Sequence, residues 1–140
     1  MILPKRKKGS KYYAVVTGRL EEPTIFSSWG HAHPRVTDCE NLYKSFRSIE
    51  EARDYMKQNG CAKFEEIIED TALDTTATKH DTAYYAVANG AKPGIYNVWY
   101  GPGGAQENVD GFHGACHKKF RTKEQAEAFI ENWKETYAEV

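Results

Sequence analysis

The sequence predicts an α+β protein made of two repeated small units, each a three-stranded antiparallel sheet packed with one or two helices. Three observations support this prediction: a length of 140 residues, an internal repeat, and a helix-start signature that closes each repeat. The length suits two small domains or one of ordinary size and excludes a large multidomain enzyme. The chain accordingly divides into a first unit at residues 11–59, a connector at 60–82 and a second unit at 83–140.

The repeat consists of three blocks that recur in the same order. They pair YYAVVTG at 12–18 with YYAVANG at 84–90, IFSSW at 25–29 with IYNVW at 95–99, and KSFRS at 44–48 with KKFRT at 118–122. The spacing between the blocks differs slightly between the two copies. Colinear blocks separated by segments of variable length indicate a duplicated unit with variable loops.

Each copy predicts the same strands. A β-rich run ends at a glycine, a turn containing proline follows, and a second β-rich run ends on Trp29 or Trp99, which together predict a hairpin. A short third strand is predicted at 42–47 and at 116–121.

The segments between the hairpin and the third strand differ between the units. In the second unit, residues 105–109 predict a short helix after a glycine-rich stretch. In the first unit, the corresponding segment at 30–40 holds His31, His33 and Pro34, and a full helix is not predicted there.

A helix is predicted to close each unit. Residues 48–51 and 122–125 fit the pattern S/T-x-x-E/Q, in which the hydroxyl and the acid or amide side chain satisfy free backbone N–H groups reciprocally. The second of these helices carries an apolar stripe at i, i+3, i+4 and i+7, formed by Ala126, Phe129, Ile130 and Trp133. Such a stripe predicts packing against the sheet.

Charge and hydropathy limit the cellular locations and the binding partners that the sequence predicts. The net charge of −1 argues against a protein that coats nucleic acid indiscriminately. Five basic residues lie in the first eleven positions, where they form either a frayed terminus or an arm for nuclear import or phosphate binding. The longest unbroken apolar run, at 83–88, is far shorter than the roughly 18–20 residues of a membrane span. Because the start is also unlike a secretory signal, the expected location is intracellular, in the nucleus or the cytoplasm.

Cysteine and histidine usage indicates no catalytic or metal chemistry. The three cysteines contain no C-x-x-C pair, so neither a disulfide framework nor a four-cysteine zinc site is predicted. The histidine and cysteine groups at 31–39 and 113–117 fit no standard zinc-finger spacing. The glycine run at 101–104 lacks the lysine and the strand-to-helix context of a phosphate loop. The sequence therefore predicts no enzyme, no metal site and no cofactor.

The two repeated tryptophans are candidate surface residues. Trp29 shares a predicted strand face with Ser27, and Trp99 shares one with Asn97, which favours exposed rings over rings in a core. The alternative is that a tryptophan at a strand end belongs to the core.

In each third strand a ring directly precedes a lysine, at Tyr43-Lys44 and at His117-Lys118. At a strand end, such a ring can lie on a sugar while the ammonium group reaches a phosphate. The alternative is that these lysines protect an edge strand from pairing with another chain.

The whole pattern, YYAV-x-x-G, I-[FY]-x-x-W, K-x-F-[RK]-[ST] and a helix opening with E-x-A, resembles the hybrid-binding domain at the N-terminus of type 1 ribonuclease H, also called the viroplasmin N-terminal domain. The matches cover roughly residues 12–56 and 84–133, and the second unit is the closer. The resemblance implies three antiparallel strands with two helices that bind RNA/DNA hybrids and, more weakly, double-stranded RNA. It implies no catalysis, because the nuclease of that family is a separate following domain, for which no room remains before Val140.

The resemblance also implies roles for individual side chains. In the second unit, Trp99 would lie on sugars of the DNA strand and His117 would take the second ring position. Lys118 and Lys119 would hold DNA phosphates, and Tyr85 would face the RNA strand and its 2′-hydroxyls. The matching positions in the first unit are Trp29, Tyr43, Lys44 and Tyr13.

The first unit departs from the family pattern. Residues 36–39 replace the V-x-G-F step, and Ser45 stands where the family has its second lysine. Two functions therefore stay open: a tandem module that binds RNA/DNA hybrid or double-stranded RNA, and a protein-interaction scaffold in which nucleic-acid binding is weak or lost. A flexible connector would let both units sit on one duplex. No membrane partner is expected.

Overall fold

The computed structural model describes residues 11–68 and 83–140, and these form the α+β fold that the sequence predicts. The elements are β1 (Tyr12–Thr17), β2 (Thr24–Phe26), α1 (Trp29–Val36), β3 (Leu42–Phe46), α2 (Ile49–Gln58), β4 (Glu65–Ile67), β5 (Tyr84–Asn89), β6 (Gly94–Tyr96), α3 (Gln106–Val109), β7 (Cys116–Phe120) and α4 (Lys123–Glu139). The basic start and residues 69–82 of the predicted connector lie outside the described residues. Within the described ranges, no helix is both long and apolar enough to cross a membrane.

The backbone pairing repeats between the two units. The first sheet has the order β3-β1-β2-β4 and the second the order β6-β5-β7. Each central strand, β1 or β5, pairs antiparallel with both of its neighbours. Each also carries a register shift at the equivalent place, between Val15 and Thr17 and between Val87 and Asn89. The duplication seen in the sequence therefore extends to a shared irregularity of the sheet.

A fourth strand distinguishes the first sheet from the second. β4 pairs in parallel with β2, with Thr24 opposite Glu65 and Phe26 opposite Ile67. The sequence predicts three strands here and places residues 65–67 in the connector, with the apolar residues at 61–70 as a possible extension of the first unit. The pairing with β2 adds these residues to the first sheet. A run of three residues is too short for periodicity to identify a strand, so only the pairing with β2 reveals it.

Both closing helices begin where the sequence predicts. Ser48 Oγ accepts a hydrogen bond from the backbone N–H of Glu51 at 3.3 Å, and Thr122 Oγ1 accepts one from Gln125 at 3.1 Å. These caps satisfy N–H groups that the first helical turn leaves without partners. The starts of α2 and α4 are therefore encoded locally.

The tryptophans end no strand, which corrects the sequence prediction. β2 ends at Phe26, Ser28 adopts an extended conformation as N-cap, and Trp29 opens α1. In the second unit β6 ends at Tyr96, and Trp99 lies in the loop that follows. Strand alternation therefore does not decide which side either ring faces.

The full helix α1 is a second correction, because the sequence predicts none at 30–40. Pro34 lies inside it, yet the helix forms because it is buried between the first sheet and the second unit. Gly30 lies against the backbone carbonyl of Phe129 with no space for a Cβ, and Ala32 is fully buried. Tertiary packing rather than propensity supplies most helix stability in proteins, and here it outweighs the proline.

Each sheet is covered by helices on both of its faces. In the first unit, Val15 and Phe26 face α1, whereas Ala14, Ile25 and Met56 form a separate cluster on the α2 side. In the second unit, α4 packs on Ala86, Ala88 and Phe120, and the residues around α3 pack on Val87. Side chains of successive strand residues point to opposite faces, so each central strand contributes to two cores.

The two units pack against each other through α1 and α4. Asn132 Nδ2 donates to Ser28 Oγ at 3.0 Å, and Trp133 Nε1 donates to His33 Nδ1 at 3.2 Å, both within the buried contact. The two units are therefore not independent bodies, because a buried helix contact sets their relative position.

Candidate nucleic-acid interface

A cleft in the second unit brings together the site residues that the sequence predicts there. It has a volume of about 660 Å³ and lies between the loop after β6 and the strand β7. Three residues of that loop join the predicted ones. The lining comprises Tyr85, Asn97, Val98, Trp99, Tyr100, His117, Lys118 and Lys119.

Three rings form a row along this cleft. The ring centroids of Tyr85 and Trp99 are 5.6 Å apart at 41°, and those of Trp99 and His117 are 5.0 Å apart at 39°. Tyr85 lies on β5, and His117 lies on β7 opposite Val87, so both share one face of the sheet. The row therefore places flat groups side by side at a partly open surface, as stacking on sugars or bases requires.

The loop that carries Trp99 is fixed through its backbone. The N–H groups of Ala105 and Gln106 donate to the carbonyls of Val98 and Trp99, each at 2.9 Å. A Cβ on Gly104 would lie 2.7 Å from the Trp99 carbonyl oxygen, so this position requires glycine. The glycine run at 101–104 therefore positions the tryptophan. A glycine run following an aromatic pair was the available sequence signal for this role.

His117 contributes a neutral ring. Burial against its neighbours lowers the pKa of His117, and the positive charge of the adjacent Lys118 lowers it further. Near neutral pH the imidazole is therefore uncharged, so it can act as a second flat ring beside Trp99 instead of as a cation.

The two lysines of β7 occupy different positions. Lys119 lies opposite Tyr85 in the register, and its Nζ is 5.8 Å from the centroid of the Tyr85 ring. Lys118 lies opposite Ala86, whose side chain belongs to the core on the α4 side. Lys119 therefore shares the face of the rings, whereas Lys118 reaches the cleft from the strand edge.

Tyr100 and Val98 are cleft residues that the sequence prediction omitted. Their exposed fractions are 72% and 57%, so both side chains are accessible to a ligand in the cleft. Because the loop follows no strand alternation, their exposure was not readable from the pattern. The aromatic pair Trp99-Tyr100 was the only available signal.

The first unit repeats the ring row. Tyr13 and Trp29 have centroids 5.2 Å apart at 39°, and Trp29 and Tyr43 have centroids 6.0 Å apart at 34°. Tyr13 is buried, and Tyr43 is exposed on β3. Trp29 packs against the cores of both units, so one side of this row is occupied by the interface between them.

The ring row of the first unit has no lysine at the position that Lys119 takes in the second unit. Ser45 lies opposite Tyr13, at the position that Lys119 takes opposite Tyr85. Lys44 lies opposite Ala14, which faces α2, and its Nζ is 5.6 Å from the Phe46 ring centroid. The structure thus brings Tyr13, Trp29 and Tyr43 together but leaves Lys44 on the other face of the sheet.

Another cavity, of about 570 Å³, lies between the units but suits a polyanion poorly. Its lining includes Glu21, Glu22, Glu65 and Glu139, which outnumber the two arginines there. Among the described residues, no group of three or more histidine, cysteine or acidic side chains is placed to hold a metal ion.

Comparison with known proteins agrees with the repeated architecture. The family model described as "Ribonuclease H1 N-terminal domain" matches the chain twice, at residues 11–56 and 83–130. No solved structure matches the chain.

Two curated relatives show partial similarity. A ribonuclease H of Saccharomyces cerevisiae is 45% identical over 47 residues, which is 34% of this chain and 13% of the relative. A ribonuclease H of Crithidia fasciculata is 39% identical over 54 residues, which is 39% of this chain and 10% of the relative. The similarity thus covers about a tenth of the length of each relative.

Proposed function

The chain belongs to the ribonuclease H1 N-terminal domain family, whose model matches both of its units, and from this premise we propose that it binds RNA/DNA hybrid and double-stranded RNA without catalysing a reaction. In this proposal the second unit makes the main contacts with the duplex, and its cleft is the binding site. The non-catalytic assignment rests on the match to an N-terminal domain in both units.

The observation that carries the proposal is the row Tyr85, Trp99 and His117 with Lys119 beside it. Hybrid and RNA duplexes approach A-form geometry, whose wide, shallow minor groove exposes sugars and 2′-hydroxyls. Flat rings can lie against such a groove, and one or two cations at its rim reach the phosphates. This combination suits shape recognition of an A-like duplex.

The charge of the site sets the expected strength of binding. Two lysines line the cleft, so about two phosphates are neutralised and the slope of log K against log salt is about −2. Affinity should then be moderate and depend largely on the rings.

The first unit has a smaller direct role in this proposal. Its ring row lacks the lysine on the ring face, and the interface with the second unit covers part of Trp29. Contact between Tyr43 and a second stretch of the same duplex would add modest affinity.

A mobility-shift comparison tests the proposal. The intact chain is titrated with hybrid, double-stranded RNA, double-stranded DNA and single strands of one sequence. We expect hybrid to bind at least as tightly as double-stranded RNA, and both to bind more tightly than DNA duplex, because only they present 2′-hydroxyls. Equal affinity for DNA duplex at physiological salt would contradict recognition of A-like shape. Absence of binding to every duplex would instead favour the protein-interaction scaffold.

A further inference from the structure

The segment that leads into β7 is held by the first unit. Residues 110–115 immediately precede the strand that carries His117 and Lys119. His113 Nε2 lies 2.7 Å from Asp38 Oδ1, a contact between the second and first units. Both side chains are largely exposed, so this contact fixes the position of the segment but adds little to the stability of the protein.

His33 is buried beside the same segment. Its Nδ1 accepts a hydrogen bond from Trp133 Nε1 at 3.2 Å. His33 also lines a cavity of about 430 Å³ together with His113 and Gly114 of this segment. Because Nδ1 accepts, the neutral ring carries its proton on Nε2, and the bond to Trp133 joins α1 to α4 beside the segment.

The second unit supplies its own anchor to this segment. Asn89 Nδ2 donates to the Gly114 carbonyl at 3.0 Å, next to the register shift of β5. Gly111 and Gly114 both have positive φ, at 72° and 75°, so the segment folds back through conformations that glycine favours. The N–H of Ala115 donates to the Phe112 carbonyl at 3.2 Å and closes the turn, whereas the contacts with Asn89 and Asp38 fix where the segment lies.

The packing of α1 against α4 fixes the backbone that carries His33. Asn132 Nδ2 bonds to Ser28 Oγ at the start of α1, and Gly30 lies directly on the Phe129 carbonyl. Moving α1 away from α4 would expose buried side chains of both units, so the backbone that carries His33 is held in place.

We propose that the first unit acts as a positioning element for the cleft of the second unit: His33 and Asp38 hold residues 110–115, so that β7 presents His117 and Lys119 to the duplex. This role rests on the proposed function. It differs from avidity, because it requires no contact between the first unit and nucleic acid.

The test uses point variants of the intact chain and a hybrid only long enough for one footprint. His33→Ala removes the hydrogen bond to Trp133 and the ring that lies beside the segment, whereas His33→Gln retains an amide oxygen for Trp133 and fills much of the same space. We expect His33→Ala to weaken hybrid binding about 3–10-fold, and His33→Gln to restore most of the affinity. Fluorescence anisotropy measures both.

Asp38 supplies a second variant that leaves the buried interface intact. Asp38→Ala removes the acceptor for His113, and Asp38→Asn keeps one while tolerating the positive φ of 55° at this position. We expect Asp38→Ala to shift the ring resonances of His117 in the free protein and to weaken binding about 2–3-fold. Asp38→Asn should give His117 resonances and a hybrid affinity close to those of the chain without substitutions.

Met56→Ala is the matched control. It opens a cavity in the α2 core of the first unit, so it destabilises that unit without touching the segment at 110–115. Hybrid affinity should be unchanged. Equal weakening of hybrid binding by Met56→Ala and His33→Ala would overturn the positioning role. Full affinity together with unchanged His117 resonances in both His33→Ala and Asp38→Ala would also overturn it. If the unchanged chain binds no hybrid, the proposed function fails, and the His117 resonances alone still decide the positioning role.

Discussion

The rings of Trp99 and Trp29 occupy equivalent places in the repeat, yet only the first has a neighbouring lysine on its own face. Trp99 lies between Tyr85 and His117, with Lys119 over the tyrosine ring. Trp29 lies between Tyr13 and Tyr43 and also packs against the other unit. Ser45 stands where the second unit has Lys119, so the first row has no cation at that position although its ring geometry is similar.

Trp99→Ala should weaken hybrid binding by about 1–3 kcal/mol, the usual cost of losing one stacked ring. Tyr55→Ala is the matched control, since it removes a ring that packs on Phe46 at the α2 side of the first sheet. Isothermal titration calorimetry measures the affinities, and circular dichroism checks the fold. Unchanged affinity in a folded Trp99→Ala protein would remove this ring from the site.

Lys119→Ala should reduce both the affinity and its dependence on salt. Loss of one phosphate contact lowers the slope of log K against log salt by about 0.9. Lys57→Ala, at an exposed position in the last turn of α2, should change neither. Titrations at several salt concentrations measure the slope. A slope that is the same in both variants would show that Lys119 contacts no phosphate.

At the scale of elements, loops and a short helix decide where the rings lie. The loop after β6 is closed by backbone hydrogen bonds to Val98 and Trp99, and Gly104 allows the approach. In the first unit the same place in the repeat is taken by α1, which packs on a sheet and on α4. A duplicated unit has thus diverged most in the segment between its hairpin and its third strand.

Gly104→Ala should destabilise the protein by about 1–3 kcal/mol, because the new methyl group meets two backbone carbonyl oxygens. It should also weaken hybrid binding by moving Trp99. Urea unfolding and anisotropy measure the two effects. Gly60→Ala is the control: its φ of 81° is strained for alanine, but its Cβ meets no neighbour, so stability should fall while affinity stays unchanged. Weaker binding by Gly60→Ala to the same extent would show that lost stability alone explains the effect.

At the scale of the whole molecule, the two units are joined by a buried contact in which His33 must stay neutral. Burial lowers the pKa of His33, and the nearby His117 lowers it further, whereas the Ala115 carbonyl and Asp38 act in the opposite direction. Protonation would give Nδ1 a hydrogen that faces the Trp133 N–H, so the bond between the units would be lost.

Acidification should therefore destabilise the protein through His33. The pKa of the folded ring lies below its ordinary value of 6.5, so the unfolded state binds the proton more tightly. The stability that depends on neutral His33 is fully present above about pH 6.5. It declines as the pH falls towards the pKa of the folded state, and below that pKa it changes no further. Urea unfolding between pH 5 and 8 measures this. His33→Gln should show a shallower decline, and an identical decline would exclude His33 as its source.

Much of the fold and part of the site could be predicted from sequence. The repeated blocks, the third strands and the caps at Ser48 and Thr122 depend on residues close in the chain, so their patterns are visible locally. The ring and lysine positions of the second cleft followed from the family pattern, and they do line one cleft.

The remaining features depend on contacts that no local pattern contains. Helix α1 forms around Pro34 because a helix about 100 positions later in the chain buries it, as the bond between Trp133 and His33 shows. The opposite faces of Lys118 and Lys119 follow from the register of β7 on β5, and the fourth strand follows from its pairing with β2. By itself the sequence determined the two units and their helix starts, because the repeated blocks and the caps are local patterns, and its resemblance to a family supplied the candidate binding residues. Only the tertiary structure decided how the units join and that Lys44 lies on the face away from its ring row, because packing and strand register bring distant residues together.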